Sequence, residues 1–278
     1  MILGQDVRMA DQAEYDAALA GYDKETVTLD GRAKDVYRTG TGPAVIVIHE
    51  LPGITPLVAE FGRRVAALGL TAVLPDLLGT PGKPPSSAYL ATSGARACVS
   101  REFHVFALNK SSPITAWLRA LARLEHERCG GPGVGVVGMC LTGGFALAMM
   151  VDPVVVAPVL SQPATPAAVT AAGRRALGLS PAELTAVKGR VDDGACVLGL
   201  RFTGDKSVPA ERFERLRQEL GSGFVAVEID SSPGNEWGYP ESAHSVLTQD
   251  ADGKPGSPTT VAMDTVLAFL SERLAEAE

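Results

Sequence analysis

Val134-Gly135-Val136-Val137-Gly138-Met139-Cys140-Leu141-Thr142-Gly143-Gly144-Phe145-Ala146-Leu147-Ala148 is the stretch that decides how this chain folds. Its first four residues are an unbroken apolar, β-rich run, the pattern of a strand buried on both faces. Its last six continue as a helix, so Cys140 falls at the sharp bend between the two elements. Strand and helix crowd together at such a bend, so neighbouring positions must be small, and Gly138, Gly143 and Gly144 meet that demand. The start of the helix adds positive potential, which favours the thiolate over the thiol. This is the setting of a nucleophile elbow, and Cys140 is the expected nucleophile.

Further runs of the same kind lie on either side. Ala44-Val45-Ile46-Val47-Ile48 and Thr71 to Leu74 read as buried strands, and Cys196 to Phe202 and Phe224 to Ile229 follow later. The last of these alternates more clearly and is expected nearer a sheet edge. Val27 to Leu29 and Asp35 to Tyr37 read as a hairpin or edge pair before the first buried strand. Helical segments are expected at Leu57 to Leu68, Ile114 to Cys129, Gly143 to Val151, Pro209 to Leu220 and Thr260 to Glu276. Two of them follow Ser-Pro pairs, Ser112-Pro113 and Ser257-Pro258, in which a hydroxyl caps the helix and proline fills its first turn. Alternating strands and helices imply an α/β fold with a mostly parallel central sheet and helices on both faces. One domain over residues 1–278 is expected, with 1–24 as an N-terminal extension and 79–110 as a segment that could cover the crevice. The long irregular stretch Ser231 to Pro258 is a candidate functional loop.

The formal net charge of −7 and the lack of any Lys/Arg-rich run argue against a nucleic-acid partner. Cys98, Cys129, Cys140 and Cys196 are far apart and form no metal-type or redox spacing. Charged residues interrupt the first fourteen positions, so no signal-peptide pattern is seen there, and no later stretch has the length of a membrane span. A cytoplasmic protein is the expectation, with a small molecule as its partner.

A nucleophile needs a base, and of His49, His104, His126 and His244 only His244 follows Cys140 in the chain. The order nucleophile, acid, histidine selects it. The orienting carboxylate is sought at the end of the strand after the nucleophile's helix. Asp205, after Phe202-Thr203-Gly204, is the first choice, and Asp230 is its rival with a turn-capping role as the alternative. Asp192 and Asp193 read as a turn. His49-Glu50-Leu51-Pro52-Gly53 follows the first buried strand, where a loop supplies one donor of an oxyanion hole. The backbone amides of Leu51 and Leu141 are the expected pair, each worth roughly 3 kcal/mol of barrier in comparable sites. Glu50, beside the thiol, could accept or share its proton, or could simply be a rim carboxylate.

Together these pieces resemble the dienelactone hydrolase family of the α/β-hydrolase fold, from about Lys34 to the end of the chain. The matching residues are His49-Glu50-Leu51-Pro52-Gly53, Gly138-Met139-Cys140-Leu141 with Gly143-Gly144, Gly204-Asp205 with Val208-Pro209, and His244. The resemblance implies a triad of Cys140, His244 and Asp205, with Glu50 holding the resting thiol and taking part in its activation. It implies hydrolysis of small carboxylic esters or lactones through an acyl-cysteine, with no metal or cofactor required.

Three features depart from the family pattern. Thr142 stands where the elbow usually has glycine, Ser245-Val246 follow the histidine in place of Gly-Phe, and Thr248, Gln249 and Asp250 occupy the region of an expected arginine. Carboxylate-binding arginines therefore do not carry over, and Arg96, Arg101 and Arg201 are the possible substitutes. A non-catalytic small-molecule-binding relative, or thioester and acyl-transfer chemistry by the same triad, are the alternatives.

Overall fold

The computed structural model describes residues 3–99, 112–165 and 170–275. Strand β3 (Ala44–Ile48) and strand β5 (Val134–Met139) lie side by side at the centre, parallel, with Val45 opposite Gly135 and Ile48 opposite Gly138. Every residue of both is buried, as their unbroken apolar runs require. Side chains alternate across the sheet: Ile46 and Ile48 join the core on one face, Val45 and Val47 the core on the other.

Around this pair the sheet has eight strands in the order β1-β2-β4-β3-β5-β6-β7-β8. Here β1 is Asp23–Leu29, β2 Arg32–Gly40, β4 Thr71–Pro75, β6 Val155–Ser161, β7 Val197–Phe202 and β8 Phe224–Ile229. The β1–β2 and β2–β4 pairings are antiparallel and the remainder are parallel. Strand β8, whose burial pattern is the most broken of the later strands, lies at the edge as its alternation predicts.

The helices are α1 (Leu3–Ala18), α2 (Pro56–Ala66), α3 (Ser87–Val99), α4 (Pro113–Cys129), α5 (Gly143–Met149), α6 (Ala171–Arg175), α7 (Pro181–Asp192), α8 (Ala210–Leu220) and α9 (Pro258–Leu274). Helices α2 and α9 cover one face, burying Val58, Phe61 and Val65 of the first and Val266 and Leu270 of the second. Helices α4, α5 and α8 cover the other with Trp117, Leu121, Phe145, Phe213 and Leu216. Both Ser-Pro starts are realised: Ser112 accepts from the Ile114 amide and Ser257 from the Thr260 amide, each at 3.3 Å.

The strand after α5 is β6, not the β7 run that leads to Asp205, so Asp205 follows the second strand after the Cys140 bend. Pro158 within Val-Val-Ala-Pro-Val-Leu-Ser hides β6 from a pattern search, because proline lacks the N–H that an interior strand donates. The strand tolerates it because pairing with β7 begins only at Val159. Asp192 is the last residue of α7 and Asp193 caps it, so the turn expected at the pair begins only at Asp193.

Candidate active site

Cys140 lies at the first residue of a 3₁₀ turn, Cys140–Thr142, between β5 and α5, with φ of 57°. A side chain other than glycine in this left-handed region is strained, and such strain persists only where the surroundings over-determine it. Three contacts do so. A Cβ on Gly138 would stand 2.3 Å from the Thr142 carbonyl oxygen, and one on Gly143 would stand 2.8 Å from the Cα of Pro163, so both glycines are obligatory. The third is Thr142, whose buried hydroxyl accepts from the Met139 amide at 2.9 Å. Its proton has the carbonyl oxygens of Met139 at 2.8 Å and of Ile48 at 2.9 Å within reach, and that of His49 at 3.3 Å. The residue that departs from the family elbow is thus the clasp that joins the bend to the end of β3.

His49 closes the next link. Its Nδ1–H donates to the Glu50 carbonyl at 2.9 Å while Nε2 accepts from the Leu77 amide at 3.2 Å. Only the neutral ring can do both. Burial drives its pKa down to about 4, overriding the backbone hydrogen bond that favours the charged ring. His49 therefore fixes the Glu50-Leu51 loop to the end of β4.

His244 comes from the long irregular segment between β8 and α9, and polar side chains hold that segment in place. Asp250 Oδ2 accepts from the amides of His244 and Ser245, both at 2.8 Å. Further along, Asp252 accepts from the hydroxyls of Tyr239 at 3.1 Å and Thr259 at 2.9 Å, tying the segment to the start of α9. His244 Nδ1–H donates to Asp205 Oδ2 at 2.6 Å. The other carboxylate oxygen of Asp205 accepts from the Ser207 amide at 2.9 Å and hydroxyl at 2.6 Å. Burial alone would raise the pKa of Asp205, but the bonds from His244 and Ser207 outweigh it and hold the carboxyl below its usual range. For His244, burial opposes the charge, yet Asp205 on one side and Cys140 on the other carry its pKa well above the usual imidazole range. Asp230 is exposed and accepts from the Ser232 amide at 2.9 Å, a turn cap.

Glu50 is buried and faces the same cleft as Cys140 and His244. Its Oε2 accepts from Gln162 Nε2 at 3.0 Å and from the Ser245 hydroxyl at 2.8 Å, and its Oε1 accepts from the Thr248 hydroxyl. Ser245 and Thr248, two of the departures after the histidine, are therefore its partners. Gln162 is a residue that the sequence pattern misses. It follows β6 in a left-handed conformation, φ 36°, is fully buried, and also accepts from the Val246 amide at 3.3 Å. It links Glu50 to the segment that carries His244. The signal that could have found it is the run from Val155 to Leu160, since the end of a central parallel strand faces the crevice.

The cleft over these groups has a volume of about 520 Å³, the size of a small-molecule site. Glu50, Leu51 and Cys140 line it from the sheet side, Pro85, Ser86 and Leu90 from the segment before and within α3, and His244, Ser245 and Thr248 from the long loop. Arg201 is not there. It is buried against Glu228 at 2.6 Å and donates to the Val208 carbonyl at 3.0 Å. His126 is half-buried in the last turn of α4. The side chains of Arg96 and Cys98, all of Arg101 and His104, and positions 100–110 of the expected covering segment lie outside the described residues. Among the described residues no helix is long and apolar enough to cross a membrane.

The sequence profile of the dienelactone hydrolase family matches residues 31–272. A Yersinia pestis protein that carries a carboxymethylenebutenolidase name is 28% identical over 240 residues, 84% of this chain and 78% of that one. A shorter match, 39% identical over 54 residues, covers 19% of this chain and 46% of a hydrolase fragment of Escherichia coli K12 named YghX. Among solved structures, a Klebsiella pneumoniae protein described under a dienelactone hydrolase name shares the fold with a TM-score of 0.60 at 20% identity, over 90% of this chain and 98% of that one.

The buried neutral His49 makes stability fall on the acid side. Its folded-state value of about 4 lies below the ~6.5 of an unfolded chain, so between these the unfolded state binds the extra proton. Denaturant titrations are expected to show about 2 kcal/mol lost through this group between pH 7.5 and 5. In His49→Asn the decline over that interval is expected to be correspondingly shallower.

Proposed function

The chain belongs to the dienelactone hydrolase family, and from that premise we propose that it cleaves small esters or lactones with Cys140 as nucleophile, His244 as base and Asp205 as the orienting carboxylate. The observation that carries this reading is that Cys140, on a strained bend after β5, and His244, on the loop before α9, line one cleft, with Asp205 from the loop after β7 bonded to the His244 ring. The same arrangement favours a protonated imidazole at His244 beside the Cys140 sulfur.

In the first half of the cycle the Cys140 sulfur attacks the ester carbonyl carbon, and the C–S bond forms as the carbonyl π pair moves onto oxygen. The amides of Leu51 and Leu141 are assigned to receive that oxyanion. They flank the two chain segments that Thr142 clasps together, so the clasp sets their separation. Collapse breaks the bond to the leaving alkoxide, which takes the proton from His244. In the second half, water gives a proton to His244 and attacks the acyl-cysteine; the C–S bond breaks and the thiolate returns. Asp205 keeps Nδ1–H donating so that Nε2 faces the chemistry throughout.

Glu50 is given the thiol-holding role before substrate arrives. A carboxylate has about four lone-pair positions. Gln162, Ser245 and Thr248 use three, leaving one on Oε1 for the Cys140 proton. Of the residues that depart from the family pattern, Thr142, Ser245, Val246, Thr248 and Asp250 thus have a place in a working site, which favours catalysis over a binding-only relative.

Against a panel of activated esters, Cys140→Ala is expected to lower turnover at least about a thousandfold while thermal unfolding stays within a few degrees of the parent. Undiminished turnover in that variant would sink the assignment. Thr142→Val removes the hydroxyl and keeps the shape, and is expected to lower kcat by about ten- to a hundredfold with little change in KM. Thr142→Ser should restore most of it; equal kcat in all three proteins would remove the clasp from the mechanism.

A further inference from the structure

Among the described residues, the cleft combines an apolar wall with one buried carboxylate whose partners are neutral. Leu51, Pro52, Leu57, Pro85 and Leu90 line it, and Leu57 and Leu90 are 40% and 43% exposed there, an arrangement that leaves two large apolar side chains at the surface beside the nucleophile. Such exposure at a concave site is what an apolar substrate group would cover. Glu50 takes its hydrogen bonds from an amide and two hydroxyls, all of them neutral donors. Asp205 and Asp250 place two further carboxylates around His244, one on its ring and one on its amide. The chain as a whole carries a net charge of −7.

Resting on the hydrolase reading above, we propose that this site selects uncharged esters or lactones with an apolar acyl or alkyl group, and discriminates against substrates bearing a carboxylate. The leucine and proline wall takes the apolar group, and the Glu50 carboxylate repels an anion held in the same volume. Ser245 and Thr248 are central to this. They bond Glu50 through neutral hydroxyls where a cationic group would offset an anion-repelling carboxylate. Leu90, on α3 at the mouth, is the position from which the charge preference can be changed.

Three p-nitrophenyl esters of one chain length test this: the hexanoate, the adipate hemi-ester with its free carboxylate, and the same adipate capped as its methyl ester. At pH 8 and low ionic strength, kcat/KM for the hexanoate and for the methyl-capped diester is expected to exceed that for the hemi-ester by about tenfold or more. Added salt should narrow the gap, and Leu90→Arg should raise the hemi-ester relative to the hexanoate several-fold. Equal or faster cleavage of the hemi-ester would overturn the inference and leave the hydrolase reading standing, as would a ratio that Leu90→Arg leaves unchanged. A protein that cleaves none of the three would remove the hydrolase reading itself, and the selectivity with it.

Discussion

The site depends on a backbone conformation that the chain would not choose on its own. Cys140 is held at φ 57° between a buried strand and a helix, and an ordinary side chain in that region costs roughly 1–3 kcal/mol. What holds it is steric exclusion at Gly138 and Gly143 together with the hydroxyl of Thr142. The first makes room for the bend, and the second joins it to the carbonyls at the end of β3. Because β3 and β5 are adjacent and parallel, this one side chain ties together the two loops that meet beneath the cleft.

The remaining groups are brought in by anchors of the same kind, short polar side chains bonded to backbone. His49 fixes the Glu50 loop to β4, Asp250 fixes the His244 loop to itself, and Asp252 fixes that loop to α9. Gln162 then joins Glu50 to Val246 across the floor of the site. A segment without regular structure can therefore carry an imidazole to a defined place. Its order comes from satisfied buried polar groups, each of which would be costly to leave unpaired.

How much of this was legible in the sequence follows from what kind of interaction each part uses. The central strands announce themselves, since Ala44 to Ile48 and Val134 to Val137 are buried on both faces and show no alternation. Cys140 and His244 can be picked out from the glycine spacing and from chain order, and the fold brings Asp205 into hydrogen-bond contact with His244. Strand β6 was hidden by Pro158, and with it Gln162. Helix α7 escapes the apolar-period pattern, although Ser180-Pro181-Ala182-Glu183 is a capping box, realised here by Ser180 and Glu183. Helices α1 and α3 have few apolar residues at helical spacing, and α3 contains Gly94 and small polar residues, so their patterns are weak. The Glu50 cradle was illegible for a different reason: its members lie 112 to 198 residues away in sequence, and only the fold makes them neighbours. The family departures at Thr142, Ser245 and Thr248 were visible, but their meaning required their partners.

The central claim is that the acyl group passes through the sulfur of Cys140. Acid-quenching the protein within the first turnover of an activated ester such as p-nitrophenyl butyrate, followed by intact-mass measurement and peptide mapping, tests it most directly. The predicted result is a single butyryl adduct on the peptide containing Cys140, absent from Cys140→Ala. An adduct on any other residue, or steady turnover with an unmodified Cys140 at every quench time, would contradict it.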